Sequence, residues 1–139
     1  MRSTQVSRRE VRVSSRALGP RLHVRCVVYD TLAEMWAAAK AFNGNDVTGS
    51  AAVTQAWTDQ TGRVRRVTVR LVRDRLGTTV VAHEIHHAAT ALYGAHLGDR
   101  VSRAAHLNHH NEPFAYLFSD LMGGLVQRLY ALGYYGDGS

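Results

Sequence analysis

The fold and the chemistry of this chain both depend on the stretch VVAHEIHHAATALYG, residues 80–94. Its apolar residues recur at spacings of four, three and four, as they do along one side of a helix. They are Val81, Ile85, Ala88 and Leu92. Thr78 or Thr79 suits the N-cap, and Gly94 is the residue type expected directly after a helix end. We therefore predict an amphipathic helix that runs to Leu92.

The same stretch holds two histidines four residues apart around a glutamate, the arrangement H-E-x-x-H. On a helix, Cβ atoms at this spacing lie about 5–6 Å apart, so His83 and His87 can direct their imidazoles at one tetrahedral ion. Glu84 lies about 100° round the helix, where its carboxylate reaches water on the metal without binding the metal itself. These features predict a Zn²⁺ site. The alternative is a helix with surface histidines, since the chain contains 8 of them.

A catalytic zinc site needs a third protein ligand and a position for water. Tyr93 stands where the extended metzincin pattern has its third histidine, so that pattern is excluded. Glu112, at the start of the last predicted helix, is the better candidate. Asp99 stays open as an alternative ligand, and so do the histidines of the connecting segment, which are His106, His109 and His110.

The last helix is expected from about Asn111 to Leu132, with Pro113 in its first turn. Its apolar side consists of Phe114, Leu117, Phe118, Leu121, Leu125 and Leu129. The opposite side is a narrow stripe of polar or small residues, namely Glu112, Tyr116, Ser119 and Gly123. We expect this stripe to face the histidine helix, with Gly123 and Gly124 allowing a close approach.

Strand and helix patterns alternate upstream of the histidine helix. Alternating apolar residues predict strands near residues 21–30, 50–58 and 63–73, the last two joined as a hairpin by the DQTG turn. A helix is expected from Thr31 to Phe42, because Thr31 and Glu34 form a capping box and Gly44 follows. In the last strand Arg66, Thr68 and Arg70 alternate with apolar residues, so we expect them to face water.

Composition bounds the class of protein. A chain of 139 residues with 45% hydrophobic and 20% charged residues is expected to fold as one domain. No apolar run approaches the length of a membrane span and no signal peptide is recognisable, so a cytoplasmic location is expected. Cys26 is the only cysteine, which fits a reducing compartment and excludes a four-cysteine zinc site.

Arginine carries most of the net charge of +6. One cluster lies in residues 1–20, which we expect to be a flexible basic arm ahead of a domain over residues 21–135, with EVRVS at 10–14 open as a short strand. Such an arm can make weak, salt-dependent contacts with nucleic acid, although a solvated arm explains the charge more simply.

HEIHH at 83–87, followed by NEPFAY at 111–116, resembles the small gluzincin-type zinc metallopeptidases, including compact phage and bacterial zincin-like domains. The resemblance in layout covers residues 22–133, and specific residues match in the two motifs only. It implies an α+β, zincin-like fold in which a small mixed sheet packs on the HExxH helix and a C-terminal helix. It also implies Zn²⁺ held by His83, His87 and Glu112, with Glu84 as general base.

A protein of this kind would hydrolyse peptide bonds in a peptide or protein substrate bound along an edge strand. Tyr116, His109 or His110 would then donate a hydrogen bond to the developing oxyanion. The competing hypothesis is a zinc-stabilised, non-catalytic binding or regulatory protein, associated with nucleic acid through the basic arm. Glu84 favours the enzyme, because a binding protein has no need of a base beside the metal.

Overall fold

A computed structural model describes residues 8–97 and 112–135 as four strands and three helices. In chain order they are β1 (Arg8–Ser15), β2 (Leu22–Tyr29), α1 (Leu32–Asn43), β3 (Val53–Thr58), β4 (Val64–Val72), α2 (Thr78–Leu97) and α3 (Glu112–Ala131). The strands form one sheet in the order β1-β2-β4-β3. β2 and β4 are parallel and the other pairs are antiparallel, so the sheet is mixed and the fold is α+β, as predicted.

The main core lies between one face of the sheet and the helices α2 and α3. Alternation along β1, β2 and β4 puts eight small apolar side chains on that face. They are Val11, Val13, Val24, Cys26, Val28, Val67, Val69 and Leu71. α3 adds a row of fully buried leucines at every fourth residue, Leu117, Leu121, Leu125 and Leu129. Within residues 8–97 and 112–135 no helix is long and apolar enough to cross a membrane.

α1 covers part of the opposite face of the sheet. Its Met35 packs with Val27, Tyr29 and Val72 in a second, smaller cluster. The predicted capping box is present. The Thr31 side chain accepts from the backbone N–H of Glu34, and the Glu34 side chain accepts from the backbone N–H of Thr31. The helix ends at Gly44 with φ of 81°, a left-handed conformation that glycine adopts without strain.

The N-terminal segment was expected to be a flexible arm with EVRVS at 10–14 open as a short strand, and the structure has a longer strand there that belongs to the folded domain. Residues 8–15 form β1, which pairs with β2 from Arg8 opposite Tyr29 to Ser15 opposite Leu22. The reason is that Val11 and Val13 alternate with polar residues and complete the buried face beyond β2. The Ser15 hydroxyl also donates to Asp120 Oδ2 of α3 at 2.6 Å. The folded domain therefore includes residues well before position 21, and residues 1–7 lie outside the described part.

Arg66, Thr68 and Arg70 were all expected to face water. The prediction is confirmed for Arg66, which is exposed, and wrong for Thr68 and Arg70, which are buried. α1 lies over this end of the sheet, so Arg70 is only 6% exposed. Its Nε donates to Gln55 Oε1 at 2.7 Å and its Nη1 to the Tyr29 hydroxyl at 2.7 Å. A buried guanidinium is tolerated here because neutral acceptors satisfy its N–H groups.

Gly94 does not end the histidine helix, which continues to Leu97. The physical reason is burial beyond the predicted end, because both Tyr93 and Leu97 belong to the main core. Continuing the helix by one turn places Leu97 on the same side as Tyr93. The rest of the connecting segment, residues 98–111, lies outside the described residues. α2 begins at Thr78, so the threonines predicted for its N-cap lie inside its first turn, and the bounds of α3 agree with prediction.

The Arg70 network predicts a specific loss of stability in Gln55→Leu. Gln55 accepts from Arg70 and its Nε2 donates to the Ala39 carbonyl at 2.9 Å, so leucine leaves the buried Arg70 Nε without its acceptor and removes a second donor from the Ala39 carbonyl. We expect the free energy of unfolding to fall by about 1–3 kcal/mol, measured by equilibrium urea denaturation. Gln60→Leu, in the exposed β3–β4 turn, is the matched control. Equal midpoints for the two variants would contradict a structural role for the network.

Candidate metal centre

The orientation of α2 decides where its histidines lie. Val81, Ile85 and Ala88 are fully buried against the sheet. Since residues two and six positions after Val81 fall on the far side of the helix, His83 and His87 are directed outward, and both are exposed. The apolar side of the helix thus places the two imidazoles at the surface, where a metal ion can reach them.

The two imidazoles face each other across one helical turn. His83 Nε2 and His87 Nε2 are 3.1 Å apart, and the ring centroids are 4.7 Å apart with the planes at 83°. In a tetrahedral zinc site with Zn–N bonds of about 2.0–2.1 Å, two nitrogen ligands lie about 3.3 Å from each other. The pair therefore already has close to the separation that one zinc ion requires. In the metal-free state one ring donates its N–H to the other ring.

Glu84 occupies the edge between the buried and exposed sides of α2. It is only 7% exposed, and its Oε1 accepts a hydrogen bond of 2.6 Å from the Thr54 hydroxyl on β3. Oε2 has no hydrogen bond within residues 8–97 and 112–135. Since no fully buried side-chain oxygen or nitrogen of those residues lacks a partner, Oε2 reaches solvent. The carboxylate is held by one oxygen, and the other keeps some contact with solvent.

The structure does not bring the predicted third ligand onto the histidine pair. Glu112 and Tyr116 are exposed on α3, Tyr116 to 61%. Across the described ranges no three histidine, cysteine, aspartate or glutamate side chains form a group that could hold a metal. The alternative ligands fall in the segment 98–111, outside the description, and they are Asp99, His106, His109 and His110.

α3 meets α2 through aromatic rings, and the predicted polar stripe does not face the histidine helix. The His86 ring lies 5.7 Å from the Phe114 ring and 6.3 Å from the Phe118 ring, all edge to face. Phenylalanine buries far more apolar area than serine or glycine, so the rings take the contact. Gly124 does allow a close approach, but to β1: a Cβ there would lie 3.4 Å from Val13 Cγ1.

Within the described residues, three other histidines lie apart from the pair. His86 is exposed and takes part in the helix contact, and the ring of His96 stacks on Tyr93 with centroids 6.4 Å apart. His23 is exposed on β2, away from α2. Thr54 is the residue of the candidate site that sequence reasoning missed. Its contact with Glu84 joins positions 30 residues apart, and no local pattern reports such a contact.

Comparison of the chain with protein-family models, with curated proteins and with solved structures finds no match.

The contact between Thr54 and Glu84 predicts that Thr54→Val is destabilising although valine has nearly the same shape. The variant leaves a buried carboxylate oxygen without its donor, and we expect a loss of about 1–3 kcal/mol in the free energy of unfolding. Urea denaturation of the metal-free protein measures it. Thr58→Val, at an exposed position of the same strand, should change stability by less than about 0.5 kcal/mol. A neutral Thr54→Val would mean that the hydrogen bond contributes nothing to holding Glu84.

Proposed function

We propose that this protein is a zinc-dependent metallopeptidase with a zincin-like arrangement of its α+β fold. The observation that carries the proposal is the 3.1 Å separation of the His83 and His87 Nε2 atoms on the exposed side of α2. It is supported by Glu84, the neighbouring residue, whose carboxylate keeps one oxygen accessible. Two nitrogen donors and an adjacent base are part of what metal-assisted hydrolysis needs, and a third protein ligand would complete the set.

Glu112 is the proposed third ligand. It begins α3, and Phe114, two residues later, packs against α2 with its ring 5.7 Å from His86 and 5.4 Å from Tyr93. Through this contact the first turn of α3 lies beside the side of α2 that carries His86 and Tyr93. A carboxylate also suits zinc as a third donor beside two imidazoles. Asp99 and the histidines of residues 98–111 are the alternatives if Glu112 does not bind.

Zinc bound by this pair would lower the pKa of a coordinated water and polarise the carbonyl of a peptide substrate. Glu84 would take the proton of the attacking water on its accessible oxygen and deliver it to the leaving amine. The hydrogen bond from Thr54 holds the other oxygen, so the carboxylate keeps one orientation through both steps. Tyr116 is the proposed donor to the oxyanion that forms on the substrate carbonyl.

β3 supplies a route for the substrate. It is an edge strand of the sheet formed by the described residues, paired on one side with β4. An extended peptide can add to such an edge through main-chain hydrogen bonds. Thr54, which holds Glu84, belongs to β3, so a peptide added along this edge would pass beside the proposed base. The substrate class is therefore an extended peptide or an unfolded protein segment.

Zinc binding is the first test. Untagged protein purified without chelators should contain close to one zinc per chain by elemental analysis, and dialysis against a chelator should remove it. We expect His83→Ala and His87→Ala to lose the metal and Glu112→Gln to bind it at least tenfold more weakly. His23→Ala, at an exposed histidine on β2, should keep full zinc content. Wild-type protein that neither contains zinc nor takes it up would overturn the proposal.

The role of Glu84 is tested separately. Glu84→Gln should retain zinc, because Glu84 is not a proposed ligand, and should lower kcat on a mixed peptide library by at least about 100-fold. Mass spectrometry of the library gives the cleavage products. Zinc bound stoichiometrically with no cleavage by the wild type would instead favour the competing hypothesis, a zinc-stabilised binding protein.

A further inference from the structure

One face of the sheet carries a strongly basic surface that the proposed function does not use. α1 covers the end of this face near Tyr29 and Val72 and leaves the opposite end open. The open end forms a depression of about 370 Å³. We call it the basic face, and it is lined by Arg12, His23, Arg25, Arg65 and Arg66. α2 packs on the other side of the sheet, so the basic face and the histidine pair are separate surfaces.

The register of the strands concentrates like charges on the basic face. Arg12 lies directly opposite Arg25 in the β1–β2 pair. Like charges at such positions destabilise a sheet. The repulsion between Arg12 and Arg25 is partly offset because Glu10 forms a salt bridge of 2.8 Å with Arg25. Asp59 does the same for Arg65, also at 2.8 Å.

Two further arginines of the basic face form no such salt bridge within the described residues. Arg12 and Arg66 are exposed and form no salt bridge within residues 8–97 and 112–135. Arg21 extends the surface, because its Nη1 donates to Ser14 Oγ at 2.9 Å and Ser14 is the register partner of His23. These guanidinium groups have their N–H donors available for an anionic partner with several charges.

An exposed indole borders the same surface. Trp57 is the register partner of Arg66 in the β3–β4 pair, so both side chains lie on one face of the sheet. Its side chain is 50% exposed, unusual for the largest apolar residue. By contrast Trp36 is partly buried, and its Nε1 donates to the Ser50 carbonyl. Trp57 therefore offers a free aromatic surface beside an unpaired guanidinium.

We infer that the basic face binds single-stranded nucleic acid, with phosphates on Arg12 and Arg66 and a base stacked on Trp57. Arginines beside an exposed aromatic ring on an open sheet are the combination that single strands require, since the charges follow the backbone and the ring stacks an unpaired base. The inference does not rest on the proposed peptidase chemistry, because it uses neither the histidine pair nor Glu84; Trp57 shares β3 with the proposed peptide edge but lies on the opposite face of the sheet from α2.

Two other polyanions fit less well. Duplex DNA keeps its bases stacked inside, so it would use the arginines and leave Trp57 without a role. An acidic peptide would also satisfy the guanidinium groups, but it carries no planar ring for the indole to stack on. The exposed Trp57 is thus the feature that favours a single strand.

The test is fluorescence anisotropy of a labelled twelve-nucleotide oligo(dT) titrated with metal-free protein at several salt concentrations. We expect Arg12→Ala/Arg66→Ala to weaken binding at low salt and to reduce the slope of log K against log salt by about 0.7 for each arginine. The matched control is Arg75→Ala/Arg128→Ala, which removes the same charge at exposed positions after β4 and on α3. The control should keep at least half of the affinity and an unchanged slope.

Stacking is tested by Trp57→Ala and Trp57→Leu, each checked for folding by thermal melting. We expect each to weaken oligo(dT) binding about tenfold, with the salt slope unchanged. The leucine variant keeps an apolar side chain, so it serves if alanine perturbs the strand.

Several results would overturn the inference. They are no binding by the wild type at 50 mM salt, equal losses in the two double-arginine variants, or no effect of either Trp57 variant. Tighter binding of a twelve-residue polyglutamate or of duplex DNA than of oligo(dT) would likewise reassign the surface to a different partner. Loss of oligo(dT) binding in His83→Ala would show that the contact belongs to the other side of the sheet.

Discussion

Burial of one side of α2 against the sheet is the constraint on which the candidate site depends. Val81, Ile85 and Ala88 are completely removed from solvent. A fully buried aliphatic side chain contributes roughly 1.5–3 kcal/mol, whereas a hydrogen bond between exposed imidazoles contributes little. Apolar packing therefore sets the rotation of the helix about its axis. The outward positions of His83 and His87 follow from that rotation.

Glu84 shows how the same packing handles a charged group. Its position in the helix places it beside the sheet, where a carboxylate without partners would be costly. The hydrogen bond from Thr54 removes that cost for one oxygen. The other oxygen lies at the edge between the buried and exposed sides of α2 and keeps some contact with water. The result is a carboxylate with restricted motion and an accessible acceptor. Both properties suit a general base, and they arise from the contact between α2 and an edge strand.

The length of α1 divides the other face of the sheet into two chemically different regions. Arg70 and Arg66 lie on the same face of β4, yet Arg70 is covered by the helix and satisfied by neutral acceptors. Arg66 lies beyond the helix and is exposed beside Trp57. Arg66 and Arg70 thus point to the same face of the sheet but differ in exposure, because α1 covers Arg70 and not Arg66.

Sequence reasoning was reliable where one element carried the whole signal. The capping box of Thr31, the bounds of α3 and the outward pair His83 and His87 each depend on residues within a few turns of one another. It was wrong wherever burial came from a distant segment. Residues 8–15 of the expected arm form β1 because they pair with the edge of β2. α2 continues past Gly94 because Leu97 is buried in the main core.

The sequence by itself determined that the chain has an amphipathic helix with two histidines one turn apart, because helical periodicity is a local property. It also determined the α+β class, through the alternation of its strands. Only the tertiary structure decided which oxygen of Glu84 is held, which helix face meets the aromatic rings of α3, and which arginines stay exposed. These outcomes depend on contacts between residues far apart in the chain, whose partners are chosen by packing of the whole sheet.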